Sequence, residues 1–205
     1  MTRILLGFCI AATLTFAQYN VSSTGELPAE AGAFAAVMAK SGIKVTGPNG
    51  LTLELWWRTT LPSGSTANED NATLATIPHG AVLGILRVSG PYVDRRGQTI
   101  KPGVYTMRYS LYPPDGNHQG VAPQRDFLIL SRVADDKDPA ATPAFDPLMT
   151  MSYKASGTPH PLCLSIWKGG SGDNKMAKEG EEDWVLSTKI GDTPVSVILA
   201  GIHHE

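Results

Sequence analysis

The chain predicts a mainly β fold: an antiparallel β-sandwich, or as the alternative a closed barrel, carrying one or two short helices. Three observations predict it. Short apolar or alternating runs recur along the sequence, about eight or nine of them, bounded by Gly, Pro, Asn and Asp. The stretch LTLELWWR, residues 51–58, alternates with period two, the mark of a strand with one face inward. Helical spacing appears in only two short segments, so the helices that parallel βαβ units require between strands are missing.

The N-terminus is set apart from this pattern. Arg3 precedes an apolar run over residues 4–16, and Thr15-Phe16-Ala17 places small residues where a signal peptidase reads them. Residues 1–17 are expected to be a secretory signal peptide cleaved before Gln18, leaving 18–205 as one β-sandwich-like domain in the periplasm or outside the cell. The run is too short for a membrane anchor, which takes about 20 apolar residues, and no later run is long enough, so no stable membrane insertion is expected once the signal is removed. The formal net charge of −2 stays mildly acidic when Arg3 leaves. That argues against nucleic acid, which calls for a basic stripe. Of the two cysteines, Cys9 lies in the signal, which leaves Cys163 without a partner for a disulfide. Its neighbours Leu162, Leu164 and Ile166 mark it as a small buried hydrophobe.

The elements follow in order. Residues 28–40, PAEAGAFAAVMAK, read as a helix: Pro28 suits a first turn, Ser41-Gly42 a stop, and Phe34, Val37 and Met38 share a face for docking on the sheet. Strands follow at 43–46 and 51–58 around the turn Gly47-Pro48-Asn49-Gly50. Residues 61–71 read as loop. Residues 81–88 are nearly all apolar, as in a strand covered on both faces. A charged connection at 91–101 leads to strands at 104–112 and 127–133. Residues 134–146, with Asp135, Asp136 and Asp138, read as loop. Asp146-Pro147 looks like a cap and first-turn proline for a short helix over 148–155 that ends near Gly157. A strand at 162–167, a loop at 169–180, and a hairpin of 184–190 with 195–200 complete the chain.

Across KPGVYTMRYSLYPPDGNHQGVAPQRDFLIL, then ADDKDPAATPAFDPL and KASGTPHPLCLSI, the chain resembles a group of secreted bacterial proteins of acidobacterial and planctomycete type. The piece KPGVYTMRY also looks like an element of other small secreted β-sandwich domains, where a Pro-Gly turn leads into an alternating strand. The resemblance implies export and a β-rich fold and carries no activity.

Candidate residues gather in and beside the loop between the strands at 104–112 and 127–133. Two sharp loops hold His118 and His160. These imidazoles with a carboxylate, Asp115 or Asp126, would make a three-ligand site for a divalent metal with one open position. A copper version would add Cys163, Met149 or Met151 as soft ligands. The alternative for the loop is a well-ordered turn, with Asp115 capping its own backbone and His118 in water. Arg125 and Asp126 are adjacent and would point to opposite strand faces, so each needs another partner. Arg108 is expected to meet Asp126 across the hairpin as an ion pair; alternatively Arg108 and Arg125 present donors to a carboxylate or sulfate ligand. Trp56 alternates out of phase with the leucines of its strand, so it is expected to face solvent, where its ring would suit a sugar, while Trp57, Trp167 and Trp184 read as core. Neither G-x-S-x-G nor S-x-x-K occurs. The reading is therefore a non-catalytic binding or interaction module for an unknown small molecule or envelope protein. The alternative is a metal-binding protein or metal-dependent enzyme using His118 and His160.

Overall fold

The computed structural model describes residues 19–65, 70–111 and 124–201. The expected signal peptide and the loop that carries Asp115 and His118 lie outside the described residues. The strands are β1 (Asn20–Thr24), β2 (Gly42–Thr46), β3 (Thr52–Trp57), β4 (Val82–Ser89), β5 (Gly103–Leu111), β6 (Asp126–Arg132), β7 (Leu162–Lys168), β8 (Lys175–Glu179), β9 (Asp183–Ile190) and β10 (Thr193–Ala200). One α-helix, α1 (Phe145–Ser156), and 3-10 turns at Ala29–Phe34 and Pro48–Gly50 complete the regular structure among the described residues.

The strand order is β1-β2-β3-β4-β5-β6-β7-β10-β9-β8, with every pairing antiparallel. Seven strands meander; the chain then crosses to the far edge and returns through β9, so that β10 pairs with β7. The two edges, β1 and β8, come near one another without a hydrogen-bonded ladder. One sheet thus curls into a nearly closed barrel. This is the closed-barrel alternative rather than the sandwich, which needs two separate sheets stacked face to face. At one end of the seam the ring of Tyr19 lies 5.0 Å from that of Trp184.

Alternation fills the interior. In-register rows run around the barrel, such as Ile43–Leu55–Leu86–Tyr105 and Trp57–Gly84–Met107–Leu130–Leu162. These side chains belong to one buried cluster, so the barrel is a packed core rather than a tube. Gly84 is the small member opposite Trp57. A Cβ there would fall 2.9 Å from the Trp57 ring and 2.5 Å from Met107 Cε, so the indole occupies the space a larger residue would need.

The outer face is also covered in two places. The 27–38 segment lays Ala31, Phe34 and Met38 over Trp56, Ile85, Val82 and Val104. The face expected from the spacing of Phe34, Val37 and Met38 is the one that docks. The segment is shorter than the expected helix, however: only Ala29–Phe34 is helical, as a 3-10 turn, and by residue 38 the chain is extended, with Met38 bridging Arg58. Gly32 weakens the segment as a helix, and the edge of β3 captures its second half through Ala39 N to Trp57 O at 2.9 Å. The second cover is α1, which packs Leu148 and Met149 on Phe127 and Ile129. It begins at Phe145, with no side-chain cap, so Asp146 sits in the first turn instead of capping. Gly157 ends it at φ 74°, a conformation glycine adopts without strain, and donates to Tyr153 O at 2.8 Å.

Two strands were not expected. β1 is polar and half exposed, and β8, KMAKE, lies inside the stretch read as loop. Both are short edge strands, where polar and charged residues discourage pairing with other chains and blur the periodic signal. Among the described residues no helix is long and apolar enough to cross a membrane.

Candidate functional site

Where the barrel fails to close, a cleft of about 630 Å³ opens between the two edges. It is lined by β1, the start of β2, the end of β3, the turn before β8 and the end of β9. Local sequence shapes each wall. Gly42 lets β2 pass close to β3: a Cβ there would stand 2.6 Å from Leu55 O and 2.8 Å from Trp56 Nε1. The facing wall is the turn 169–174. Gly169 N donates to Pro194 O at 3.0 Å, Gly172 N to Ser187 Oγ at 2.8 Å, and Thr188 Oγ1 to Asn174 Oδ1 at 2.7 Å. Asn174 takes φ 57°, a left-handed conformation that Asn tolerates. The glycine-rich stretch is therefore an anchored turn rather than an open loop.

Ile43, Leu55 and Trp57 form the apolar part of the lining, and Ser22, Ser23, Ser41 and Thr59 add hydroxyls. Trp57 is 5% exposed, and among the described residues its indole Nε1 has no hydrogen-bond partner. Among the described residues Arg58 and Lys189 are the cations of the lining, and no Asp or Glu belongs to it. Arg58 Nε is likewise buried without a partner. Burial lowers the proton affinity of Arg58, and the positive charge of Arg108 lowers it further.

The candidate residues from the sequence lie elsewhere. Trp56 does not face solvent. It is fully buried beneath the 27–38 segment, its Nε1 donates to Gly25 O at 2.9 Å, and Arg87 stands 5.6 Å above its ring. It faces outward from the barrel as its phase requires, but the outer face is covered there, so no sugar can reach it. Arg108 does not pair with Asp126. It is fully buried and forks onto Asp136 at 2.6 and 2.7 Å, with its other N–H groups on Gly80 O, Ala141 O and Asp138 O. That uses its donors, so it is not a ligand fork. Arg125 precedes β6; its backbone N–H donates to Asn71 O, and its side chain to Asp70 O at 3.1 Å.

Asp126 is also fully buried. Its carboxylate accepts from Thr73 N (2.7 Å), Thr73 Oγ1 (3.0 Å), Leu74 N (3.0 Å) and Tyr109 Oη (2.7 Å), fastening the 70–78 segment to the barrel. The register Phe127↔Ser165 sets Asp126 level with Ile166, toward the end of β7, whereas His160 precedes its start. At about 3.3 Å per residue that separates them by roughly 15–20 Å, too far for one ion held by bonds of about 2 Å. A metal site joining His160 to Asp126 is thereby ruled out. His160 is exposed, and its backbone carbonyl accepts from Thr158 and Gln98. His118 and Asp115 lie outside the described residues. Among the described residues no group of three His, Cys, Asp or Glu could hold an ion. Met149, Met151 and Cys163 do meet, but in the apolar cluster under α1 with Phe127, Ile129 and Leu148, where they pack as hydrophobes.

The cleft residues Trp57, Arg58, Asn174 and Lys189 were missed by sequence reasoning. The one signal for them was the Trp-Trp-Arg run, whose second indole, not the first, belongs to the cleft. The chain matches no protein-family model, no curated protein and no solved structure.

Proposed function

We propose that this protein is an exported, non-catalytic binding module and that the seam cleft is its ligand site. The observation that carries the reading is the cleft itself. At about 630 Å³ it falls within the ~300–1,000 Å³ of small-molecule sites, and it combines apolar side chains with a few polar groups as such sites do. It sits where two edge strands leave the barrel open, so the chain keeps it without disturbing the packed core. Export is supported by the N-terminal pattern of residues 1–17.

The fluorescent probe N-phenyl-1-naphthylamine, a neutral aromatic amine, tests the site. Saturable 1:1 binding to the processed protein is expected, weakened by about tenfold or more in Ser41→Trp, which places an indole at the exposed rim of the cleft. Thermal unfolding of the variant checks that it folds. Unsaturable binding, or equal binding by the variant, removes the cleft as the site. N-terminal sequencing of protein secreted from a bacterial host is expected to begin at Gln18, and a start at Met1 contradicts export through this signal.

A further inference from the structure

We propose that the seam cleft takes an organic anion: its apolar body against Ile43, Leu55 and Trp57, and its carboxylate, sulfonate or phosphate toward Arg58 and Lys189. This rests on the cleft being the ligand site and adds the charge of what enters it.

The lining is one-sided in charge. The chain has more acids than bases overall, 19 Asp+Glu against 17 Lys+Arg, yet among the described residues no acid lines the cleft and two cations do. Four other arginines are matched by a carboxylate, Arg87 with Glu54, Arg95 with Asp183, Arg96 with Asp94 and Arg108 with Asp136, and Arg132 donates to Pro102 O and lies over the Tyr105 ring. Among the described residues Arg58 has neither a hydrogen bond to its guanidinium nor an ion pair, and its Nε is buried. A half-buried guanidinium without a counter-charge is costly to keep, because water is partly removed and nothing replaces it. Arg108 is close enough to add repulsion. An anion in the cleft relieves both.

Hydrogen-bonding capacity leans the same way. Trp57 lines the cleft with an indole N–H that has no acceptor among the described residues. The Asn174 carbonyl already accepts from Thr188 Oγ1, which leaves its amide N–H groups to give. These N–H groups add to the two cations as donors that a ligand with acceptor oxygens would satisfy. An oxyanion on an aromatic or aliphatic body supplies both requirements.

Two probes that differ only in charge separate this inference from the reading it rests on. 1-Anilinonaphthalene-8-sulfonate carries a sulfonate on the ring system of N-phenyl-1-naphthylamine. The anionic probe is expected to bind about tenfold tighter or better, and its binding to weaken as salt rises. In Arg58→Gln/Lys189→Gln this preference disappears, the two probes then binding alike, and Arg58→Lys restores part of it. Near-ultraviolet circular dichroism confirms that each variant is folded. Equal binding of the two probes by the parent protein, or a preference that survives in the double variant, overturns the anion inference and leaves the cleft as a neutral site. Failure of both probes to bind, or binding that Ser41→Trp does not weaken, overturns the cleft as well.

Discussion

Arg108 and Asp136 form a closed fork inside the protein, Nε on Oδ2 at 2.6 Å and Nη2 on Oδ1 at 2.7 Å, with Thr106 Oγ1 adding a third bond to Oδ2 at 2.6 Å. The pair ties the chain after β6 onto the outer face of β5. Because Arg108 also holds the carbonyls of Asp138 and Ala141, the fork fixes the path of the segment that delivers α1 to its seat.

Removing one partner leaves an uncompensated buried charge. Asp136→Ala is therefore expected to cost about 3–5 kcal/mol in urea unfolding. Arg108→Met/Asp136→Leu, which removes both charges, is expected to recover much of that. An Asp136→Ala chain within about 0.5 kcal/mol of the parent contradicts the fork's role.

Asp126 holds the 70–78 segment by four hydrogen bonds. Asp126→Ala is expected to destabilise by about 2–3 kcal/mol, since bonds to a charged acceptor are the stronger kind. Amide exchange should quicken at Thr73 and Leu74. Unchanged protection at these two amides shows that the segment is held by other means.

His79 supplies a pH dependence. Burial lowers its pKa below the ordinary 6.5, its Nε2 has no partner among the described residues, and its ring lies 6.1 Å from that of Phe145. The folded chain thus binds this proton more weakly than the unfolded chain. Stability from His79 is present above the unfolded value near 6.5 and is lost as pH falls below it toward the folded value. His79→Gln is expected to lose less stability than the parent between about pH 7 and 5. Parallel curves for the two proteins would refute this.

Burial pushes the Cys163 thiol up to about 11, with the nearby Arg96 only partly opposing it. Little thiolate is present at neutral pH. Iodoacetamide at about pH 8 should label the native protein roughly a hundredfold more slowly than the urea-unfolded chain. Comparable rates would mean that α1 does not shield this residue.

The strands were legible because each buries one face: Leu51, Leu53, Leu55 and Trp57 announce β3, and the apolar run 81–88 announces β4. The edges β1 and β8 were hidden, because a strand with little to bury need not alternate. The burial of Trp56 was hidden for a related reason. The phase of Trp56 correctly gives its face, but phase is silent on whether a second layer covers that face, and here Phe34 and Met38 cover it. Asp136 sits in an acidic run that reads as solvated; nothing local marks it as the partner of an arginine 28 positions away. Of the cleft residues, Asn174 comes from a glycine-rich turn, where no periodicity exists to read, and Lys189 from the exposed face of β9, where nothing local marks the seam it lines.

What the sequence determined by itself is local: alternation, turns and the near-absence of helical spacing, and hence an antiparallel β protein. The tertiary structure alone decided that β10 joins β7, that the sheet curls until β1 faces β8, and that a gap remains between them. Side-chain period fixes the two faces of a strand without naming its neighbours. Those pairings join residues far apart along the chain, so closure, the seam and the place of Arg58 beside it emerge only when the whole sheet is assembled.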